Sequence, residues 1–306
     1  MENFPKIYNF VVCFTNKSGT KINTEKKQVS PIEVVPYNPK WPTMFEAEKK
    51  LIQSALGDNC IAIHHIGSTS VLGLAAKPKI DIIALAKDRE KAIKSLGKVG
   101  YTHAGEWNIP LKCGFTKRNG TSVNLHMFFE ENHPEIELNL RFRDYLRTNP
   151  DVRDEYAALK LSILGDETAH QRVGKLSFPV YTLKKSAFIS KIIKNIGFNR
   201  LRVLKCITEN EWEAVKSFRR DYFHRLGIGD PIRENLEDGN HEHFLLYRGT
   251  EIIGYADIRI FSKKAAMLCV FEIHSKNESL WFIALIKKWA KVHGYKFLNN
   301  IAVANS

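Results

Sequence analysis

The sequence predicts an α/β protein of the α+β type, built as two successive domains. Three observations carry that prediction. The chain has 306 residues, more than one ordinary core holds and suited to two domains of roughly 150 residues each. Between residues 31 and 198, short apolar runs of strand length alternate with amphipathic segments, the interleaving that builds a mixed sheet covered by helices. From residue 199 to 306 the order becomes helix, hairpin, strand, helix, with its own caps and breakers.

Residues 1–30 lack periodicity and include a polar stretch at 15–25, so they read as an N-terminal extension. Residues 33–37 form the first short strand, and Pro42 suits the opening turn of a helix, where its missing N–H would be unpaired anyway. That helix carries Phe45, Leu51, Ile52 and Ala55 at helical spacing, and Gly57 ends it. Residues 61–66 are a strand, Gly67-Ser68 a tight turn, and 80–86 a second, buried strand. Asp88 caps a helix running to Leu96, residues 123–129 form another strand, and Asp151 caps a helix to Leu164 bearing Tyr156, Leu159 and Ile163.

A second domain begins near Leu201. Thr208 and Glu211 make a T-x-x-E capping box ahead of a helix with Trp212, Val215, Phe218 and Phe223. Residues 243–247 and 251–261 read as a hairpin around Arg248-Gly249, and 265–273 as a further strand. The helix at 278–293 places Ile283, Ile286, Trp289 and Ala290 on one face and stops at Gly294.

Composition narrows the class. Hydrophobic residues at 44% and charged residues at 26% exclude a disordered or low-complexity chain. No apolar run approaches the roughly 20 residues needed to span a bilayer. The N-terminus carries Glu2 and only a short apolar run at 10–14, a poor secretory signal, so the expected location is the cytoplasm. Cys13, Cys60, Cys113, Cys206 and Cys269 are scattered and contain no C-x-x-C pair, which fits reduced thiols rather than zinc. A formal charge of +13 predicts anionic partners: nucleotides, nucleic acid or an acidic protein. Nine Lys or Arg and no acid lie between Thr168 and Thr208; that run reads as a solvated helix face plus linker, with an RNA or acidic-protein footprint as the alternative.

The stretch H-H-I-G-S-T-S-V-L-G-L-A-A-K-P-K-I-D-I-I, residues 64–83, delivers Gly67-Ser68 from one strand and Asp81 from the next. Phosphate chemistry accounts for each part. Gly67 lets the backbone approach a polyphosphate, Ser68 adds a hydroxyl and an N–H, and Asp81 is the candidate ligand for Mg²⁺ on the phosphates. A serine-hydrolase elbow is excluded, because neither Ser68 nor Ser70 sits in G-x-S-x-G.

With P-Y-N-P-K-W-P before it and F-R-D-Y-L-R and Y-A-A-L-K after it, this stretch resembles the GrpB family over residues 31–198. The resemblance implies a nucleotidyltransferase-like fold, a nucleotide-binding corner at Gly67-Ser68 and a carboxylate at Asp81, but no particular reaction; a Mg-dependent nucleotidyl or phosphoryl transfer is the activity expected from the residues of that corner. Active nucleotidyltransferases usually carry a second carboxylate where this chain has Ile83, which weakens two-metal catalysis more than nucleotide binding. Leu72 stands where the family has Pro, and Asn124-Leu125-His126 where it has His-Leu-His. Alternation along a strand puts Asn124 and His126 on one face. His64 and His65 point to opposite faces, and His65 is expected to share the face of Gly67. The candidate catalytic residues are therefore Asp81, His126 and His65, against the plain alternative that a strand histidine is a structural hydrogen-bonding group. Lys77, Arg143 and Lys160 join Gly67 and Ser68 as candidate phosphate contacts; Arg143 with Asp144 reads equally as a structural ion pair, and a solvated lysine is the ordinary alternative for the other two.

The later segment, with H-F-L-L-Y-R-G-T-E-I-I-G-Y-A-D-I and I-K-K-W-A-K-V-H-G-Y, resembles a GNAT N-acetyltransferase domain. In that family the loop before the second motif reads [Q/R]-x-x-G-x-[G/A] and cradles the cofactor pyrophosphate; here residues 274–279 are His-Ser-Lys-Asn-Glu-Ser, with neither glycine and with Glu278 at the anion's place. Losing two charged hydrogen bonds weakens acetyl-CoA by about two to four orders of magnitude, so acetyl-CoA is not the expected cofactor. The resemblance also implies a helix and hairpin beyond residues 297–298, and the domain is expected to be degenerate and shortened, with Tyr247, Tyr255 and Glu272 as relics of a substrate pocket. The leading expectation is a protein binding a nucleotide or phosphorylated small molecule; the alternatives are an N-acetyltransferase and a basic, non-catalytic module for RNA or an acidic protein.

Overall fold

The computed structural model describes residues 32–298 apart from 174–177, 238, 263–264 and 274–275. The expected N-terminal extension, Cys13, and the first two residues of the candidate pyrophosphate loop lie outside the described residues. Every element below belongs to one compact unit that begins at Ile32.

The unit contains two five-stranded sheets. The first is built from β1 (Cys60–Ile66), β2 (Ile80–Ala86), β3 (Thr102–Gly105), β4 (Cys113–Lys117) and β5 (Val123–Phe128), in the order β1-β2-β5-β4-β3. Only β2 and β5 run parallel; the other neighbours are antiparallel, so the sheet is mixed. The near-continuous apolar run of β2 follows from its interior place, covered on both faces. On one face α1 (Trp41–Leu56) and α2 (Arg89–Lys98) bury Trp41, Phe45, Ile52, Ala92 and Leu96 against Ile80, Ile82, Leu125 and Met127. On the other, Ile66, Ile83, Leu85 and Phe128 meet Ile136 of α3 (Pro134–Thr148). Next come α4 (Pro150–Leu164), the short pair β6 (Arg172–Val173) and β7 (Phe178–Pro179), α5 (Val180–Leu183) and α6 (Ser186–Asn195). Leu146, Tyr156, Phe188 and Ile192 from α3, α4 and α6 pack around Val71 and Leu74.

Local chemistry explains the ends. Asp88 caps α2 by accepting from the Lys91 N–H at 2.9 Å. Helix α4 differs from expectation: Asn149 takes the N-cap position, Pro150 opens the helix, and Asp151 lies in the first turn, where its charge suits the helix dipole. The expected strand at 33–37 is reduced to a single bridge between Val35 and Ala76. Strands β3 and β4 and helix α3 add to the elements legible in the sequence.

The second sheet contains β8 (Leu201–Lys205), β9 (His241–Arg248), β10 (Glu251–Ser262), β11 (Ala265–Ile273) and β12 (Lys296–Leu298), in the order β12-β11-β10-β9-β8. Its chain order also includes α7 (Glu209–Leu226) after β8 and α8 (Ser279–Val292) after β11. The capping box ahead of α7 is formed, with the Glu211 N–H on Thr208 Oγ1 (3.3 Å) and the Thr208 N–H on Glu211 Oε2 (2.7 Å). Val215 of α7 packs with Leu245, Tyr247, Tyr255 and Val270 on one face; Phe282, Ile286 and Trp289 of α8 pack with Phe244, Leu246, Ala256 and Leu268 on the other. Beneath α7, Arg219 pairs with Asp257 (2.6 Å) and Asp230 (2.6 Å), and His241 Nδ1 lies 2.7 Å from Asp257.

The sheets meet along a polar seam. Lys205 pairs with Glu106 (3.1 Å), Arg202 with Glu135 (3.0 Å), Arg200 with Glu137 (2.9 Å), and Lys288 with Glu130. The Trp289 indole N–H also donates to Glu106 at 2.8 Å. Much of the basic run between 168 and 208 is thereby engaged within the chain, since Lys184 and Lys191 also face Asp166 and Glu155. No helix among the described residues is long and apolar enough to cross a membrane.

Candidate functional site

Strand β1 ends at Ile66, and the chain turns at Gly67, whose φ of +67° lies in the region that favours glycine. Ser68–Ser70 complete a single 3-10 turn, closed by the Ser70 hydroxyl donating to the Gly67 carbonyl at 2.6 Å. Helix α3 fixes this turn from outside: Arg147 donates twice to the Ser70 carbonyl (3.0 and 2.7 Å), and Arg143 donates to the His65 carbonyl at 3.0 Å. Arg143 also holds Asp144 at 2.8 Å. Its guanidinium therefore carries the structural contacts that were one of its two sequence readings.

Asp81 lies against that turn. A Cβ placed on Gly67 would sit 2.7 Å from Asp81 Oδ2, so glycine is required for the approach as well as for the dihedral. Asp81 pairs in register with Ile66 on β1 and Asn124 on β5, and the Asn124 amide donates to Asp81 Oδ1 at 2.9 Å. Burial pushes the Asp81 carboxyl upward, while Asn124 and the amines of Lys79, Lys185 and Lys77 oppose the rise.

Four amines approach the same corner. Lys160 of α4 is 2% exposed, and its ammonium donates to Ser68 Oγ at 3.1 Å and to the Ala75 carbonyl. Burial, with the nearby Lys185 charge, brings Lys160 down to about 7. Burial and the charges of Lys185 and Lys79 bring Lys77 to about 8, and burial brings Lys185 to about 8 against the pull of Asp81. Lys79 is lowered for the same reasons, burial first and then Arg118. Lys79 and Lys185 were absent from the sequence candidates; the K-P-K string before β2 and the Lys184-Lys185 pair were the available signals.

His126 shares the Asp81 face, two residues beyond Asn124 on β5 and opposite Ile83. Lys112 Nζ lies 3.1 Å from its Nδ1; an ammonium can only donate, so Nδ1 accepts and Nε2 carries the proton. Burial and the Lys112 charge hold this imidazole well below its usual range, hence neutral. Burial lowers Lys112 itself to about 8. Asp81, Gly67, Ser68, Lys77 and Lys160 thus come together, with His126 along the same face.

His65 does not join them. It pairs with Ile82 on the α1 side of the sheet, where its ring stacks on Phe45 (4.5 Å between centroids) and lies 3.0 Å from the Thr69 hydroxyl. Alternation counted from His65 to Gly67 misleads because Gly67 lies outside the strand and turns the chain. His64, opposite Ile83, occupies the Asp81 face instead. Burial, then Arg147 and Arg143, bring His65 to about 4, as suits a neutral packing residue.

At this corner Asp81 is the carboxylate that the described residues offer a divalent cation. Among the described residues no group of three or more His, Cys, Asp and Glu side chains could hold a metal. One carboxylate fits Mg²⁺ only when phosphate oxygens and water supply the remaining ligands.

In the second sheet, the Tyr247 hydroxyl donates to Glu211 (2.7 Å), the Tyr255 hydroxyl lies between His243 and Arg219, and Glu272 pairs with Arg225. Glu278, at the N-cap of α8, pairs with Arg248.

A family model described as GrpB protein matches residues 31–195. The UPF0157 protein BH1888 of Halalkalibacterium halodurans is 35% identical over 175 residues, covering 55% of this chain and 84% of that protein. The UPF0157 protein YqkA of Bacillus subtilis is 41% identical over 133 residues, covering 42% of this chain and 38% of YqkA. The crystal structure of the conserved protein GrpB from Enterococcus faecalis matches with 32% identity and a TM-score of 0.46, over 54% of this chain and 96% of that one.

Proposed function

The chain belongs to the GrpB family, and from that premise we propose that its first sheet binds a nucleotide or phosphorylated small molecule at the Gly67-Ser68 corner and transfers a nucleotidyl or phosphoryl group. The observation that carries this reading is the contact of Lys160 with Ser68 Oγ, 3.1 Å, beside a glycine that Asp81 approaches too closely for any side chain. A buried ammonium that touches a hydroxyl at a tight glycine turn is built to meet an anion. In this arrangement Gly67 opens the backbone to phosphate oxygens, Ser68 and Lys160 bind them, and Asn124 orients Asp81. Mg²⁺ held between Asp81 and the bound phosphates would neutralise charge on the group transferred. His126, neutral with its proton on Nε2, acts as a hydrogen-bond donor rather than as a base on that face.

The order β8-α7-β9-β10-β11-α8-β12 supports reading residues 199–306 as a degenerate GNAT-like domain, and residues 31–198 as the family domain. Glu278, paired with Arg248, sets a carboxylate where that fold would receive pyrophosphate, so acetyl-CoA is not assigned to it.

The test is thermal unfolding of the full chain with each nucleoside triphosphate, with and without Mg²⁺, and with acetyl-CoA. A shift with one nucleotide that is lost in both Ser68→Ala and Asp81→Asn supports the site, because a ligand binding only the folded state raises the midpoint. No shift with any of them, alongside salt-sensitive RNA binding that survives Asp81→Asn, overturns it in favour of a basic binding module.

A further inference from the structure

Among the described residues, the corner amines Lys77, Lys160 and Lys185 have no carboxylate at ion-pair distance. Lys77 and Lys185 rest on the same Tyr181 ring, with their ammonium groups 4.1 and 4.8 Å from its centroid. Lys160 is buried with a hydroxyl, a carbonyl and the Tyr156 ring (4.7 Å) around its charge. By contrast, the adjacent Lys184 has Asp166 and Lys191 has Glu155. The one carboxylate acting on Lys77 and Lys185 is Asp81, and each of these lysines also feels the positive charge or the burial that disfavours its own.

An aromatic ring attracts an ammonium only weakly, which does not offset the repulsion and desolvation of a second cation brought to the same ring. The three lysines come from separate segments: the loop before β2, the middle of α4, and the N-cap of α6. Lys77 and Lys185 act on Asp81, and Lys160 feels the Lys185 charge while it holds Ser68 Oγ beside Gly67, so cations from three segments gather at one corner, a cost that a bound polyanion removes. An orthophosphate brings about two charges; linked phosphoryl groups bring three or more in one chain, which suits a corner that gathers four amines, Lys79 included, beside one carboxylate.

Building on the nucleotide-binding reading above, we propose that Lys77, Lys160 and Lys185 form a polyphosphate subsite, which takes a ligand with at least two linked phosphoryl groups and neutralises most of its charge by amines rather than by metal. The subsite then determines substrate class: a nucleoside di- or triphosphate is retained through its phosphate chain, and a monophosphate is held poorly.

The experiment is calorimetric titration of the full chain at pH 7.5 in chelator, with inorganic tripolyphosphate and, separately, orthophosphate. Tripolyphosphate is expected to bind at least tenfold more tightly than orthophosphate without Mg²⁺. Lys77→Gln and Lys185→Gln are each expected to weaken it about tenfold. Repeating the titration in buffers of different ionisation enthalpy should reveal proton uptake of about one per site, because a bound anion raises amines that are lowered in the free protein. Unfolding midpoints of the variants serve as the folding control, and Lys185→Arg, which keeps the charge, should retain binding if a fold defect is not the cause. Tripolyphosphate binding no tighter than orthophosphate, or unaltered in both Gln variants, overturns the proposal. A Mg²⁺-dependent nucleotide shift that ignores the lysines would leave the nucleotide reading standing and remove this one; lysine-dependent tripolyphosphate binding without any nucleotide response would do the reverse.

Discussion

Glu106 and Lys205 meet at 3.1 Å across the seam between the two sheets. The same carboxylate accepts from the Trp289 indole at 2.8 Å, and its loop continues through Trp107 to Lys112, the partner of His126. One side chain from the first sheet therefore ties α8 and β8 to the loop flanking the candidate site.

Replacing Glu106 with Ala should cost about 1–3 kcal/mol, since it removes the acceptor of the Trp289 indole N–H and of the Leu111 N–H, while Lys205 keeps Glu242 at 3.2 Å. Urea unfolding followed by both tryptophan fluorescence and far-UV circular dichroism measures this. Coincident, lowered midpoints are expected; an unchanged midpoint would show that the seam bears no weight.

Gly67→Ala places a methyl group 2.7 Å from Asp81 Oδ2 at a φ of +67°. The expected loss is about 1–3 kcal/mol of stability together with the nucleotide-dependent rise in midpoint. Adding Asp81→Ala should recover part of the stability, because it removes the clashing oxygen, and none of the binding.

Lys160→Met should stabilise the free protein. In the fold the amine is lowered from 10.5 to about 7, so the folded state disfavours its charged form. That penalty is complete below about pH 7 and fades as pH rises towards 10.5. The variant should gain about 1–4 kcal/mol at pH 6, lose that advantage in alkali, and fail to bind tripolyphosphate. Denaturant midpoints at pH 6 and pH 9.5 test the sign: a gain larger at the higher pH contradicts it.

Arg219→Met acts in the opposite sense. It leaves Asp257, fully buried, beside Asp230 and without its guanidinium, at an expected cost of about 3–5 kcal/mol. Burial opposes the Asp257 charge, but His241 and Arg219 outweigh it and hold the carboxyl below 3.8. The stability this carboxylate lends is thus present above about pH 4 and lost as pH falls below it. The wild type should show that acid loss, and Arg219→Met should show less of it, in midpoints measured from pH 6 to pH 3.

The parts of the fold legible in the sequence were those that punctuation marks locally. Asp88, the Thr208–Glu211 box, and the Gly67 turn each act within four residues, and each forms at the position its residues predict. Strands β3 and β4 escaped because their residues, Thr-His-Ala-Gly and Cys-Gly-Phe-Thr-Lys, lack apolar alternation and depend on pairing with β5 through β4. At the site, Gly67, Ser68 and Asp81 were legible because two neighbouring strands bring them together. Lys185 lies more than 100 residues from Asp81 in the chain, and only the packing of α4 and α6 places it there. His65 was misplaced by a single residue of parity at the end of β1.

The seam has a polarity. Among the described residues, Glu106, Glu130, Glu135 and Glu137 set carboxylates on the first sheet's side against the cations of Lys205, Lys288, Arg202 and Arg200 on the second. Two pieces cut apart there would present faces of opposite sign, like a plug and its socket. Each would repel its own copies and attract the other, so complementation in trans would yield the hetero-pair rather than either homodimer, and added salt would loosen it.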